Sequence, residues 1–189
     1  MSNITAKMVA ELREMTGLGM MECKKALVEV EGDLKKAEEL LRIKSGNKAS
    51  KMAGRTAAEG VVVIAIADDK KSGAIVEVNC ETDFVAKNDN FVELAHELAE
   101  QAVFYANKEE FFASDFHGMT VADKLIEQTG LIGEKIEIGS FERIEGPFLG
   151  AYIHAGNKIA AITSLSGDVD GAAEVAKAVS MQVAAMNPI

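Results

Sequence analysis

Residues 61–80 read VVVIAIADDKKSGAIVEVNC, and they decide the fold class of this 189-residue chain. Two apolar runs, 61–67 and 74–80, have the period of two that is typical of β-strands, and the polar DDKKSG between them predicts a hairpin turn. The stretch ETDFVAKNDN (81–90) is polar and predicts a loop. Beyond it, apolar residues recur at helical spacing and predict one buried helix face. They are Phe91, Leu94, Ala95, Leu98, Ala99, Ala102 and Val103.

The same order of strand, strand and helix returns near the end of the chain. FLGAYIHA (148–155) and IAAITSL (159–165) predict two strands around a GNK turn, and AAEVAKAVSMQVAAM (172–186) predicts a helix after the loop SGDVDG. Because each hairpin brings its own helix, we predict an α+β core in two parts, with antiparallel sheets covered by helices.

The residues between the two halves are less regular. EKIEIGSFERIE (134–145) alternates and predicts a strand, and Val121 to Thr129 resemble a short helix capped by Gly130. The phenylalanines of FYANKEEFFASDFHGMT (104–120) follow no clear period. We interpret that aromatic cluster as core packing.

The first 46 residues predict three short helices. The first helix stops at Thr16-Gly17, and the second runs from Met20 to Val30. The third follows Asp33 and closes at Gly46. A bundle this small buries little apolar area and is marginal by itself, so we expect a tethered docking module.

These patterns divide the chain into four segments. They are a three-helix docking domain (1–46), a basic linker (47–58), the first half of the core (59–146) and the second half (147–189). Residues 40–58 carry Lys and Arg but no acid. The linker is therefore either a solvated connector or a surface that meets an acidic or polar partner.

The net charge of −10 is unevenly distributed along the chain. Residues 1–58 carry 11 Lys/Arg against 8 Asp/Glu, whereas residues 59–189 carry 9 against 22. Because an acidic body repels phosphate, nucleic acid is a poor partner, and a basic or mixed protein surface is a better one. No membrane-spanning run and no secretory signal are visible, so we expect a cytoplasmic protein. Cys23 and Cys80 are interpreted as reduced thiols.

No catalytic constellation is visible in the sequence. The histidines His96, His117 and His154 lie in different segments without a neighbouring nucleophile, and no phosphate-binding loop pattern occurs. We therefore expect neither an enzyme nor a cofactor, and no direct nucleotide binding.

The stretch ETDFVAKNDN (81–90) is open to two interpretations. Thr82 or Asp83 caps a turn and Phe84 folds back into the core, or Phe84 and Asp83 protrude from a rigid loop as a wedge that inserts into a partner.

TGLGMMECKKAL (16–27) is similarly open. Gly17 and Gly19 permit a tight turn and Met20 and Met21 pack inward, or the turn exposes apolar surface beside Lys24 and Lys25 that suits a partner's helix.

Taken together, several motifs indicate a family. TGLGMMECKKAL and VEVNCETDFVAKNDNF (76–91), followed by LIGEKIEI (131–138), GAYIHAGNKIAAI (150–162) and AAMNP (184–188), closely resemble bacterial elongation factor Ts, the guanine-nucleotide exchange factor of elongation factor Tu. The resemblance covers essentially the whole chain. It implies that the three N-terminal helices form a ubiquitin-associated-like domain ahead of the two-part α+β core.

The resemblance also implies which residues contact the partner. The family's wedge is matched by Thr82, Asp83, Phe84 and Val85. The resemblance implies that the N-terminal domain docks on the nucleotide-binding domain of the GTPase. The contact candidates there are Met20, Met21, Lys24 and Lys25, with Lys48 and Lys51 of the linker as further candidates.

Two other family segments are matched as well. The Ile-Gly pair at Ile132 and Gly133 is implied to lie against the same GTPase domain. The Tyr-x-His-x-Gly segment at Tyr152, His154 and Gly156 is implied to face a different domain of the partner.

The implied mechanism is release of GDP through disturbance of the Mg²⁺ and phosphate site of elongation factor Tu, without covalent chemistry. Family members continue beyond the match to Asn187-Pro188, so either this sequence is a fragment or this member lacks those parts. We expect an incomplete second half whose uncovered sheet edge favours either self-association, as in a homodimer, or instability.

Two other classes of function compete with this expectation. One is a passive interaction module, a holdase or assembly cofactor that binds through the helical domain and leaves nucleotide affinity unchanged. The other is a small-molecule enzyme, which the scattered acids and histidines do not favour.

Overall fold

The computed structural model describes residues 4–188. Its helices are α1 (Ala6–Thr16), α2 (Met20–Glu29), α3 (Leu34–Met52), α4 (Asp83–Ala86), α5 (Asp89–Ala102), α6 (Lys108–Ala113), α7 (Val121–Ile132) and α8 (Ala172–Met186). Its strands are β1 (Glu59–Ile66), β2 (Ser72–Cys80), β3 (Asp115–Phe116), β4 (Met119–Thr120), β5 (Glu137–Glu145), β6 (Phe148–Ile153) and β7 (Ala160–Leu165). The expected α+β class is confirmed.

These elements form two compact units. The first contains the residues up to Gly54 together with Leu125–Glu134, and the second contains Arg55–Lys124 together with the residues from Lys135 onward. The second half of α7 therefore belongs with the N-terminal helices, although it lies far from them in the sequence.

Three N-terminal helices are present as expected, and their ends have identifiable causes. The Thr5 hydroxyl accepts a hydrogen bond from the Met8 amide and begins α1, and the Asp33 carboxylate accepts one from the Lys36 amide and begins α3. Gly17 ends α1 in the left-handed conformation that glycine adopts without a steric penalty. The core of this unit is a set of fully or nearly fully buried side chains. They include Val9, Leu12, Leu18, Cys23, Ala26, Leu27, Ala37 and Leu41.

The predicted end of the third helix at Gly46 is wrong, because α3 continues to Met52. A single glycine lowers helix stability by only about 1 kcal/mol, and packing can offset that amount. Met52 is buried in the last turn and supplies such packing. The first residues of the predicted linker are consequently helical.

The predicted end of the seventh helix is wrong as well. Gly130 does not cap α7 but lies inside it, and the helix continues to Ile132. A Cβ atom at Gly130 would stand 2.5 Å from the Ser45 Cβ atom, so glycine is required there for the close approach of α7 to α3. Lys48 of α3 also donates a hydrogen bond from Nζ to the Gly130 carbonyl at 2.9 Å.

The second unit contains both predicted hairpins. Antiparallel pairing of β1 with β2 places Val63 opposite Val76, and β5 joins β2 on its other side to give the order β1-β2-β5. Helix α5 packs on this sheet with Leu98, which is fully buried like Val63 and Val76. The strand predicted over 134–145 is thereby confirmed as β5, which begins three residues later than predicted, at Glu137.

The second hairpin and its helix are also confirmed. Strands β6 and β7 pair antiparallel from Phe148↔Leu165 to Ile153↔Ala160, and α8 packs on both. The contact is close at Gly150, where a Cβ atom would stand 2.3 Å from the Ala176 Cβ atom. The Thr163 hydroxyl of β7 and the Ser180 hydroxyl of α8 are hydrogen-bonded to each other at 2.7 Å.

The aromatic stretch 104–120 forms elements that its irregular pattern did not predict, namely α6 and the short β3–β4 pair. Phe111 is fully buried and stacks on Phe141 with ring centroids 5.4 Å apart. Core packing is therefore confirmed for this cluster. Phe104 is the exception, since its side chain is 79% exposed.

Candidate functional site

The segment 81–90 is not the loop that its polarity predicted. It forms the short helix α4 and the beginning of α5. The Thr82 hydroxyl accepts from the Val85 amide and caps α4, and the Asn88 side chain accepts from the Asn90 and Phe91 amides and caps α5. Polar residues that fold onto nearby backbone amides are helix caps, so the same composition that suggested a loop ends one helix and begins the next.

Helix α4 presents Phe84 to solvent. The Phe84 side chain is 84% exposed, whereas Ala86 on the same helix is buried against the second unit's sheet and Val85 is half-buried. Thr82 does cap a turn, but Phe84 does not fold back into the core. The geometry that the wedge interpretation requires is therefore present, and the wedge role itself stays a prediction.

Asp83 lies beside this ring and is paired within its own helix. Lys87 donates from Nζ to Asp83 Oδ2 at 2.7 Å. This hydrogen bond and the charge of Lys87 hold the pKa of Asp83 below its ordinary value, and Lys158 contributes a smaller effect in the same direction. The same pair raises the pKa of Lys87. Asp83 thus carries a negative charge at neutral pH.

Hydrogen bonds attach the base of α4 to the rest of the second unit. The buried Cys80 thiol donates to the Thr82 carbonyl at 3.2 Å, and the amides of Ala86 and Lys87 donate to the carbonyls of Thr82 and Asp83. Glu81 accepts from the Lys135 amide at 2.7 Å and from the Arg55 guanidinium at 3.3 Å. Phe84 consequently projects from a firmly attached turn.

A second exposed surface lies on the first unit, at the start of α2. Met20 and Met21 are 60% and 63% exposed, and Lys24 and Lys25 on the same helix are exposed too. Of the two interpretations of this segment, the one in which both methionines pack inward is therefore wrong. They line a groove of about 760 Å³ together with Lys24 and residues of α1 that include Val9 and Arg13. Its lining is mainly apolar and also contains the charged residues Arg13, Glu14 and Lys24, a composition that resembles a protein-binding surface.

Ile132 and Gly133 lie at the end of α7, in the first unit. Gly133 has a φ of 83°, which favours glycine, and its amide donates to the Thr129 carbonyl. Lys48 approaches the same turn through its bond to Gly130. This residue therefore supports the Ile132-Gly133 turn, whereas Lys51 is exposed on α3.

His154 follows β6 in the second unit. Its Nδ1 atom and the Tyr152 hydroxyl are hydrogen-bonded at 2.9 Å, and Gly156 continues into the turn with a φ of 79°. In that turn Lys158 donates to Glu59 and to the Gly60 carbonyl. Tyr152, His154 and Gly156 thus form one local cluster, while the histidines His96 and His117 lie elsewhere.

The described part of the chain offers little else for chemistry. Within residues 4–188, His, Cys, Asp and Glu side chains do not gather in groups of three that could hold a metal ion. Over the same residues, every helix is too short or too polar to cross a membrane.

Comparison with known proteins identifies the family. The family model described as "Elongation factor TS" matches residues 81–189. Over all 189 residues the chain is 58% identical to elongation factor Ts of Christiangramia forsetii, of which it covers 69%. The chain belongs to the elongation factor Ts family.

Two further relatives give the same result. The elongation factor Ts of Flavobacterium psychrophilum is 54% identical over 189 residues and is covered to 69% of its length. That of Flavobacterium johnsoniae is 57% identical over 186 residues, which are 98% of this chain and 58% of that protein. The similarity to these relatives extends over nearly the whole chain, from the N-terminal helices through α4 to the second hairpin.

Sequence reasoning missed several residues of the site. Lys87, Glu81, Arg55 and Lys135 hold Asp83 and the base of α4, yet none was singled out. A signal existed for Lys87 alone, because it follows Asp83 by four residues and such a spacing pairs charges on a helix. Glu81 joins residues that are distant in the sequence, so no local pattern could indicate it.

Proposed function

We propose that this chain binds elongation factor Tu and acts as its guanine-nucleotide exchange factor in translation elongation. Membership of the elongation factor Ts family supports the partner. The observation that carries the exchange activity is the Phe84 ring, 84% exposed at the tip of a helical turn whose base is held by hydrogen bonds. Large exposed aromatic side chains on rigid supports are the usual anchors of protein interfaces.

The proposed mechanism is mechanical. A GTPase binds GDP through amides around the phosphates and through a Mg²⁺ ion whose octahedral coordination tolerates little displacement. Insertion of Phe84 between helices of the partner displaces the elements that hold the ion, so GDP leaves without being contacted. No covalent bond is made or broken by this chain.

Asp83 has to exchange partners in this mechanism. In the free protein its carboxylate is bound to Lys87 on an exposed surface, where an ion pair contributes little to stability. Asp83 can therefore turn from Lys87 to a donor of the partner with a small loss. Its charge is already present, because the pKa of Asp83 is held low by Lys87.

Linkage limits what the factor can do. If this chain lowers the affinity of the GTPase for GDP by a given ratio, bound GDP lowers the affinity of the GTPase for this chain by the same ratio. Typical couplings of about 1–3 kcal/mol correspond to roughly 5–150-fold, and exchange at a useful rate needs the upper end of that range. GTP then rebinds and releases the factor.

The other predicted contact residues supply docking. Met20 and Met21 with Lys24 and Lys25 provide an apolar and basic surface for the nucleotide-binding domain of the GTPase. Lys51 extends the basic character along α3, and Ile132 and Gly133 contact the same domain in our proposal. His154 contacts a different domain of the partner.

The decisive experiment measures release of a fluorescent GDP analogue from elongation factor Tu. Phe84→Ala should remove most of the acceleration, and Asp83→Ala should reduce it. Phe104→Ala is the matched control, because Phe104 is also a phenylalanine of the second unit and is 79% exposed. Equal acceleration by the wild type and by Phe84→Ala would contradict the wedge mechanism.

Met20 and Met21 favour a second candidate, the passive interaction module. Both side chains are exposed on the first unit, and in this candidate they bind a partner without any effect on nucleotide affinity. In that case Met20→Ser/Met21→Ser would abolish binding, while Phe84→Ala would change nothing. Phe84→Ala separates the two functions, because Met20 and Met21 supply docking in both.

Self-association is the last part of the proposal. Among the described residues, β6 and β7 pair as strands only with each other, and the Leu149 amide of β6 donates to the Lys70 carbonyl, so β7 offers the edge that another strand can join. Sedimentation velocity over a concentration series tests for a homodimer, and a single monomeric species throughout would exclude it.

A further inference from the structure

The carboxylate of Glu81 joins three segments that are distant in the sequence. It lies between the end of β2 and α4 and accepts a hydrogen bond from the Lys135 amide at 2.7 Å. The Arg55 guanidinium donates to the same Oε1 atom at 3.3 Å. Lys135 closes the arrangement, since its Nζ donates to the Arg55 carbonyl at 3.2 Å. We call these three residues the Glu81 junction.

The position of the junction in the chain is informative. Arg55 and Lys135 are the residues at which the chain enters the second unit from the first, at Gly54/Arg55 and Glu134/Lys135. Glu81 immediately precedes Thr82, the cap of the helix that carries Phe84. One carboxylate therefore ties both points of entry to the base of α4.

A wedge displaces its partner only when its own support yields less than the partner does. If the support yields, the strain of insertion is relieved within the factor, and the elements that hold the nucleotide stay in place. Because small displacements of positioned groups reduce rates strongly, the stiffness of the base matters for the rate more than for binding.

We propose that Glu81 is a positioning residue for nucleotide exchange, which holds the base of α4 against Lys135 and Arg55 so that Phe84 can displace its partner. This inference rests on the proposed exchange function. It assigns Glu81 no contact with the partner, so its effect passes through the backbone of the junction.

The electrostatics of the junction agree with this geometry. The hydrogen bond from the Lys135 amide, and then the hydrogen bond and charge of Arg55, hold the pKa of Glu81 below its ordinary value. The carboxylate is thus ionised at neutral pH, and bonds to an ionised acceptor are the stronger kind.

The test measures the rate of GDP release against the concentration of the factor. For Glu81→Ala we expect the maximal rate to fall by about tenfold, while the concentration for half-maximal rate changes by less than about threefold. Glu81→Gln retains an oxygen that accepts from the Lys135 amide, so it should recover most of the rate. Glu93→Ala is the control, because Glu93 is an exposed acid of the same unit on α5.

Hydrogen exchange of the free protein provides the second readout. The amides of Ala86, Lys87 and Asn88 donate to carbonyls within the α4 turn, and their protection should fall in Glu81→Ala but not in Glu93→Ala. Unchanged protection of these amides would overturn the inference, as would a variant whose maximal rate is unchanged and whose half-maximal concentration alone rises. If the wild type fails to accelerate GDP release, the proposed function fails by itself. The hydrogen-exchange measurement then still decides whether Glu81 holds the base of α4.

Discussion

Phe84 and Phe111 show how far the surroundings of one side chain decide its role. Phe111 is fully buried and stacks on Phe141, so it contributes to the core of the second unit. Phe84 is 84% exposed and makes little contact with its own chain. Exposure of so large an apolar ring contributes little to folding, and in the proposed function the Phe84 ring is kept for a partner.

The stability of two alanine variants tests this contrast. Phe84→Ala should change the free energy of unfolding by less than about 0.5 kcal/mol, because surface substitutions rarely do more. Phe111→Ala should lower it by about 3–5 kcal/mol, the usual loss for a buried phenylalanine. Urea unfolding followed by circular dichroism measures both, and a large loss for Phe84→Ala would show that the ring is part of the core.

The ionisation of Glu81 should make the stability of the protein depend on pH. Its pKa is lowered in the folded protein from the ordinary value of 4.5, so its ionised form stabilises the fold above that value. The contribution is lost as the pH falls through the lowered pKa of the folded state. The melting temperature of Glu81→Gln should therefore lie below that of the wild type at pH 7, and the difference should shrink below about pH 4.5. A difference that stays constant down to pH 3 would contradict the ionised junction.

Among the helices, two glycines of the first unit have opposite surroundings. At Gly130 of α7 an added Cβ atom would lie 2.5 Å from the Ser45 Cβ atom, whereas at Gly46 of α3 there is nothing within 4 Å. Glycine is thus required at the first position for close packing and is merely tolerated at the second.

Alanine at each position should shift stability in opposite directions. Gly130→Ala should destabilise the protein by about 1–3 kcal/mol through overpacking. Gly46→Ala should stabilise it by about 0.5–1 kcal/mol, because alanine favours the helix. Thermal unfolding of the two variants beside the wild type measures both, and stabilisation by Gly130→Ala would show that α3 and α7 do not pack closely.

The same glycines show which elements the sequence could predict. Two pairs of short apolar runs, each pair around a polar turn, predict the hairpins, and β2 shows the alternation most clearly because fully buried and half-buried residues alternate along most of it. Gly46 and Gly130 predict helix ends because glycine lowers local helix propensity. In the folded protein, tertiary contacts of Met52 and Ser45 decide these positions, and no local pattern contains them.

The site was predictable to a similar degree. The exposure of Phe84 was one of two interpretations, because an aromatic residue in a polar stretch fits both a wedge and a small core. What separates them is the attachment of α4 through Cys80 and Glu81, which depends on residues from several segments. The residue types and the resemblance predict the residues that contact a partner. The hydrogen bonds that support those residues are visible only in the folded structure.

For the whole molecule, chain order and compact units do not coincide. Leu131 follows the first sheet strands by fifty residues or more, yet its side chain packs against the core of the first unit. That unit is therefore completed only after most of the chain has been made.

Leu131→Ala should accordingly weaken the first unit selectively. We expect faster hydrogen exchange in α1 and α2, by an amount that corresponds to about 1–2 kcal/mol for a partly buried leucine, and unchanged exchange in β1 and β2. Ile126→Ala, on the same helix but 44% exposed, is the matched control. Equal loss of protection in both units would contradict independent local stability.

Both cysteines of the chain are buried thiols, Cys23 in the first unit and Cys80 beneath α4. Thiol-reactive dyes require an accessible sulfur, so the native protein should resist labelling until it unfolds. A single cysteine introduced at an exposed position such as Asp89 would then be the one reactive group. The folded chain therefore accepts a site-specific optical probe next to α4 without prior removal of its own cysteines.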